Sequence, residues 1–428
     1  ARIDPRSQCC NISQDGKPRS YGTTVITHGY TGFPYKDGSG LDDVKWTISM
    51  ADNIALRLQN AKIYIVRDGI PTETGSIGNA EIGEKIIVFD WVRESDRNLF
   101  GYAEGAADVL TAVLLQGAID NKWSLQQLHF IGHSRGTVVL SETIERLGYY
   151  SQQKEMLPQN LPIDQQIHFT TLDAHPWDDR PDDGIAEPSS AEDYEVNGKP
   201  IDKGVVCWEN VAYADNYWHK GSNLNGLSTI PGVNSNPTAN IDLSAYSAMD
   251  HSGVHAWYYF TINHSATDDG DDSPIYLGSD WFPTALWRTS LGFNKSITLN
   301  GDISTLATTS ERKHIYDDLT LNRNILYNGN FDSKKSGYYF DIDIPGGRSP
   351  VKGIPGWEMQ GGGGNGHVEK DSDHGLNYHL ELDWGNSIRK HNEFFIPSNA
   401  TKIWFRYKIT KVKALADQLV VQLGGMKN

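Results

Sequence analysis

The 428-residue chain predicts an α/β domain built on a mostly parallel sheet, followed by an all-β sandwich. Three observations predict it. Strand-like and helix-like segments alternate from Gly22 to Ile262, the pattern of parallel strands joined by crossover helices. A Gly-His-Ser-Arg-Gly stretch, Gly132–Gly136, lies where an apolar run gives way to a helical one. Beyond Asn324 helical periodicity is lost, and short β-like runs alternate with Gly-rich turns.

In chain order, GTTVITHGY (Gly22–Tyr30) reads as a strand ending in a turn. LDDVKWTISMADNIALRLQN has helical spacing, with Val44, Trp46, Ile48, Met50, Ile54 and Leu56 expected mostly on one side. AKIYIV is the next strand, separated by a polar excursion from KIIVFDW (Lys85–Trp91). FGYAEGAADVLTAVLLQGAI is a second helix, LHFIGHS a short buried strand and TVVLSETIERL a third helix. IHFTTLDAHPWDD and VVCWENVAYADNYW give two more strands with polar ends. The Gly- and Asn-rich stretch from Asn216 to Asp250 reads as a mobile lid over the site, its apolar residues scattered. HSGVHAWYYFTI closes the unit as a turn into an apolar helix.

These readings place a first domain at residues 1–320, with a lid-like loop at 216–250 and trim and linker at 263–323. The second domain spans 324–428, and the pattern leaves the completeness of its sandwich open. Its aromatics (Trp357, Trp384, Trp404, Tyr378) are expected to be mainly core. One or two are candidates for an exposed platform for a carbohydrate or surface ligand.

A net charge of −16 argues against a nucleic-acid or anionic-membrane partner. No apolar run approaches the length of a transmembrane segment. Of the three cysteines, the adjacent Cys9 and Cys10 lack zinc-site spacing, and the one attractive disulfide joins one of them to Cys207. The acidic run DDGDD after Ala266 is usually a solvated face, though carboxylates this dense suit a structural calcium ion. Low cysteine, an aromatic content of 11% and acidity fit a secreted or periplasmic protein, and a start at Ala1 without Met suggests a processed or recombinant N-terminus.

Gly-x-Ser-x-Gly between strand and helix is the setting that lifts a serine hydroxyl clear of its neighbours, which makes Ser134 a candidate nucleophile. A Gly-rich turn that happens to hold a serine is the alternative. The helix behind Ser134 offers backbone N–H groups to a developing oxyanion. THGYTG (Thr27–Gly32), at the end of an early strand, supplies the second donor, so the backbone N–H groups of Tyr30 and Arg135 are the expected oxyanion hole. For the acid, Asp173 and Asp215 both follow strand signals, and spacing alone does not choose between them. Asp178, Asp179, Asp182 and Asp183 crowd a polar turn and read as solvated. For the base, His251 and His255 are the candidates, while His219 and His264 lie in less defined surroundings.

Taken in order, these stretches resemble the pancreatic-lipase-like branch of α/β-hydrolases, which includes lipoprotein lipases and phospholipases A1. VITHGYTGF is similar to that family's oxyanion strand and loop, VFDW to its Val-Asp-Trp strand, and LHFIGHSRGTVV to its Gly-His-Ser-Leu-Gly elbow. TTLDAHP resembles its Leu-Asp-Pro-Ala element, which makes Asp173 the implied acid. DHSGVHAWYYFTI resembles its histidine segment, which makes His251 the implied base. The resemblance covers Gly22 to Ile262 and implies an α/β-hydrolase fold, no cofactor, and hydrolysis of an ester of an acylglycerol, a phospholipid or a polymer. Ala174 stands where the family has proline, Arg135 sets a charge beside the nucleophile, and 216–250 lacks the cysteines that pin the family's lid. NGNF and IPGWE resemble galactose-binding-like jelly rolls. The rival reading is a non-catalytic binding protein on the same scaffold.

Overall fold

The computed structural model describes residues 22–31, 45–67, 69–95, 102–152, 161, 163, 167–176, 202, 204–220, 224–233, 235, 239–246, 249–270, 292–293, 312 and 314–315, with short strands between 195 and 200 and between 338 and 390. The elements run β1 (Thr23–Thr27), α1 (Lys45–Leu58), β2 (Ala61–Arg67), β3 (Ile70–Ile77), β4 (Glu84–Asp90), α2 (Val92–Ser95), α3 (Tyr102–Ile119), β5 (Leu128–His133), α4 (Gly136–Gln152) and β6 (Ile167–Leu172). They continue with β7 (Glu195–Val196), β8 (Lys199–Pro200), β9 (Val211–Trp218), β10 (Asn240–Asp242) and α5 (His251–Ile262).

One eight-stranded sheet carries the fold, in the order β10-β9-β6-β5-β1-β4-β2-β3. Every neighbouring pair is parallel except β2 and β3. β1, β5 and β6 are buried along their whole length, as central strands covered on both faces must be. Period-two alternation divides their side chains between two cores. Val25, Ile87 and Phe130 join the cluster with α3 and α4, whereas Ile26, Val88 and Ile131 join the one with α1 and α5.

The connectivity reverses beside β1. The chain first adds β2, β3 and β4 on one side, then β5, β6, β9 and β10 on the other. In α/β sheets such a reversal is where ligands are commonly bound, outside the carboxyl ends of the strands, here those of β1 and β5.

Several expectations change. The polar excursion after β2 contains β3, an antiparallel edge strand whose residues are mostly exposed. Backbone pairing makes this strand, not burial, so its hydropathy carries little signal. α1 buries Trp46, Met50, Ala51, Ile54, Ala55 and Leu58, and leaves Leu56 at 62% exposure, because positions 54 and 56 lie about 200° apart on a helix. The described part of 216–250 is not a free cover. It holds the end of β9 and all of β10, and it buries Leu227, Ile230 and Leu243. Its polarity is internal: the Asn216 amide donates to the Leu227 carbonyl (2.8 Å) and to Asn240 Oδ1 (3.0 Å).

Cys207 is a free thiol, fully buried, with its pKa pushed by burial up to about 12. Cys9 and Cys10 lie outside the described residues. Asp269 of the acidic run is buried, 2.7 Å from His255, while Asp271 and Asp272 lie outside the described residues. Among the described residues no cluster of His, Cys, Asp or Glu could hold a metal ion, and no helix is long and apolar enough to cross a membrane.

Beyond residue 324, five short strands are described: β11 (Tyr338–Phe340), β12 (Trp357–Gly361), β13 (Gly366–Lys370), β14 (Tyr378–Leu382) and β15 (Asn386–Lys390). They pair antiparallel as β11-β13-β14 and as β12-β15. The remainder of the expected sandwich, with Trp384 and Trp404, lies outside the described residues.

Candidate active site

Three loops meet at the carboxyl edge of β1, β5 and β6, which are adjacent in the sheet. Ser134 follows β5 directly and has φ +54°, a left-handed conformation rare for a residue with a Cβ. Its backbone N–H donates to the Leu172 carbonyl at the end of β6 (2.9 Å), and α4 begins two residues on. This is the strand–turn–helix setting expected of an elbow. The neighbouring loops need glycine at two points. A Cβ at Gly29 would lie 2.4 Å from the Ser134 Cβ, and one at Gly136 would lie 2.3 Å from the His28 carbonyl oxygen. The loop after β1 is therefore pressed directly against the elbow, with Tyr30 next in the chain and 36% exposed.

That loop is braced. The Trp91 indole N–H donates to the His28 carbonyl (2.8 Å), and the Trp91 backbone N–H donates to His28 Nε2 (3.1 Å). His28 Nε2 is thus an acceptor, and its Nδ1–H donates to the Gly29 carbonyl (2.9 Å). Arg135 completes the brace with its guanidinium 5.8 Å from the Trp91 ring centroid. Its charge does not face the nucleophile as the sequence suggested. The side chain is buried and forms a bidentate pair with buried Asp202, Nε to Oδ2 at 2.6 Å and Nη2 to Oδ1 at 2.8 Å.

Asp173 follows β6 directly, also at positive φ (+48°), with its N–H bonded to the Tyr217 carbonyl of β9 (2.7 Å). Its carboxylate is fully buried and accepts from His251 Nδ1–H at 2.6 Å on Oδ2. This bond fixes the proton on Nδ1 and leaves the His251 Nε2 lone pair available. His251 is the first residue of α5. Its place is set by Asp250, the N-cap, whose side chain accepts from the Gly253 N–H (2.6 Å). The His251 carbonyl is held by His133 Nε2–H (2.9 Å).

The electrostatics follow from burial. Burial holds the His251 imidazole below the ordinary histidine value of 6.5, opposed by the bond and charge of Asp173 and reinforced by His175 and His219. Burial pushes Asp173 up, but the hydrogen bonds from His219 and His251 prevail and keep it below 3.8. Burial, with His251 and His255 adding to it, keeps His133 well below 6.5, so it holds the helix start as a neutral donor. A neutral histidine on an ionised aspartate, that aspartate following Leu172 whose carbonyl holds the Ser134 N–H, suits proton transfer. Ser134 retains 4% exposure. Among the described residues its hydroxyl makes no hydrogen bond, His251 included. In unliganded sites such bonds are often long and tighten around substrate.

The structure thus brings together the Ser134 turn, Asp173 and His251, with Tyr30 next in the chain to Gly29 and Arg135 next to Ser134, and sets the rival candidates elsewhere. Asp215 lies inside β9, not at its end, and its carboxylate accepts from Thr170 Oγ1 (2.6 Å), His168 Nε2 (3.1 Å) and Tyr217 OH (2.9 Å). His255 stacks on Trp46 (4.4 Å between centroids) beside Asp269. His264 packs on Phe260 at the end of α5. Asp178, Asp179, Asp182 and Asp183 lie outside the described residues.

The sequence reading passed over His219, whose Nδ1–H and backbone N–H both donate to the Asp173 carboxylate (2.9 and 2.8 Å). A signal for it existed. β9 lies beside β6, so the residue just past Trp218 falls next to the residue just past Leu172. Asp202 had no such signal, since Arg135, its partner, is 67 positions away. No protein-family model matches the chain, and no curated protein matches it in sequence.

Proposed function

We propose that the chain is a serine hydrolase of carboxylic esters, of the lipase and esterase class. Ser134 Oγ attacks the ester carbonyl as His251 Nε2 takes its proton, and His251 then returns that proton to the leaving alcohol. Asp173 keeps the imidazole in the Nδ1–H tautomer and stabilises its charge. The backbone N–H groups of Arg135 and Tyr30 are assigned to the tetrahedral oxygen, and losing one such donor typically costs about 10²–10³ in rate. Water hydrolyses the acyl-enzyme by the same proton path, without a cofactor. The observation that carries this reading is the 2.6 Å Asp173–His251 bond beside a left-handed serine at a strand-to-helix turn.

The resemblance to the pancreatic-lipase-like branch, the net charge of −16 and the scarcity of cysteine support an enzyme acting outside the cytoplasm on dissolved or surface-bound esters. The carboxyl-terminal strands are assigned to a separate all-β module that adds no catalytic group, with a carbohydrate or a surface as its ligand. A catalytically idle scaffold is the second reading, favoured by the absence, among the described residues, of a hydrogen bond to the Ser134 hydroxyl. Turnover of a short-chain p-nitrophenyl ester separates the two. Wild type is expected to be active, and Ser134→Ala to lose roughly 10⁴- to 10⁶-fold in kcat. Equal rates in the two proteins would leave the scaffold reading standing.

A further inference from the structure

The proposed reaction uses one imidazole on Asp173, yet the carboxylate serves two. Oδ2 accepts from His251 Nδ1 at 2.6 Å and from His219 Nδ1 at 2.9 Å, while Oδ1 accepts the His219 backbone N–H at 2.8 Å. His219 is 1% exposed, so water cannot replace a donor lost there. It is itself held in place. Tyr217, two residues earlier, accepts the Asp173 N–H, and the His219 carbonyl accepts the Gly226 N–H (3.2 Å). We infer that His219 is a positioning residue for the reaction: its two donors lock the rotation of the Asp173 carboxylate and share its charge, which limits how tightly that carboxylate holds His251.

A carboxylate with several donors is a weaker acceptor for each of them, because its negative charge is already partly neutralised. With His219 in place, Asp173 orients His251 without raising its proton affinity so far that the base is lost near neutrality. Among the described residues, the titratable groups that face His251 are Asp173, His219 and His175, together with His133, which donates to its carbonyl and lies 4.6 Å away ring to ring. Of these, Asp173 alone favours the imidazolium by charge. A change in the strength of the Asp173 bond therefore reads out directly in the titration of His251. A residue that merely filled space would not move that titration.

The inference rests on Ser134, Asp173 and His251 forming a hydrolytic triad, and the test separates the two. The pH dependence of kcat/KM on a short p-nitrophenyl ester is measured for wild type, His219→Phe and His219→Gln. His219→Phe deletes the ring donor and keeps the backbone one. Its acid limb is expected to move to higher pH and its kcat to fall by about tenfold, the equivalent of one pKa unit. His219→Gln, with an amide N–H to offer Oδ2, is expected to bring the limb back toward wild type. A folded His219→Phe with an unmoved limb overturns the inference while leaving the triad intact. If His219→Phe does not fold, the wild type decides by proton NMR. The His219 Nδ1–H resonance should shift as pH falls through the His251 titration, and a resonance that ignores that titration overturns the inference. A wild type without turnover sinks the triad reading, and this inference with it.

Discussion

Ser134 and Asp173 both sit at positive φ without being glycine, each at a cost of about 1–3 kcal/mol that the surrounding packing must offset. Both follow directly from the end of a buried parallel strand, so the sheet itself enforces the strain. The pH behaviour is set at this scale. His251 must be neutral to accept the Ser134 proton, and burial lowers its pKa from 6.5. Activity should therefore persist as pH falls and be lost only below that value. The acid limb of kcat/KM, which reports the free enzyme, is expected to have its midpoint under 6.5, and a midpoint above it would show that Asp173 outweighs burial. Ser134 and His251 were legible as candidates because a glycine-flanked serine and a helix-initiating histidine are local patterns. Asp173 and Asp215 were not separable by spacing, since choosing between them requires knowing which lies past its strand and which inside it. The side chain of Arg135 was misjudged for the same kind of reason, because Asp202, its buried partner, is 67 positions away.

At the scale of elements, α5 delivers the base and its start is fixed by one cap. Asp250 accepts from Gly253 N–H, and His251 is the next residue. Asp250→Ala should cost about 0.5–2 kcal/mol of stability. It should also lower kcat by between about tenfold and a hundredfold, since small misplacements of a catalytic group are expensive. Thermal melts and kinetics on the same sample check both, and a destabilised variant with full kcat would show that His133 and Asp173 hold His251 in place without the cap. The regular elements were well marked in the sequence where burial imposes a period. They were poorly marked where it does not. β3 is exposed on an edge, and β10 is a three-residue strand in an Asn-rich stretch, so both read as loop. The same blindness turned 216–250 into a lid, although Asn216 and Asn240 are hydrogen-bonded within the sheet.

For the whole molecule, the reversal of strand order at β1 sets the place of the site, because the Gly29 loop, the Ser134 elbow and the Asp173 turn converge at the strand ends beside it. The alternation of strand and helix announced the parallel sheet, but the reversal appears only once strand neighbours are known. The central claim is that this convergence activates the Ser134 hydroxyl. Incubating the full chain with a fluorophosphonate, which reacts with activated serines, and locating the adduct by peptide mass spectrometry tests that claim most directly. One adduct per chain is expected, on the peptide carrying Ser134, absent in Ser134→Ala and formed far more slowly in His251→Ala. A wild-type protein that stays unmodified, or one labelled at another residue, would contradict it.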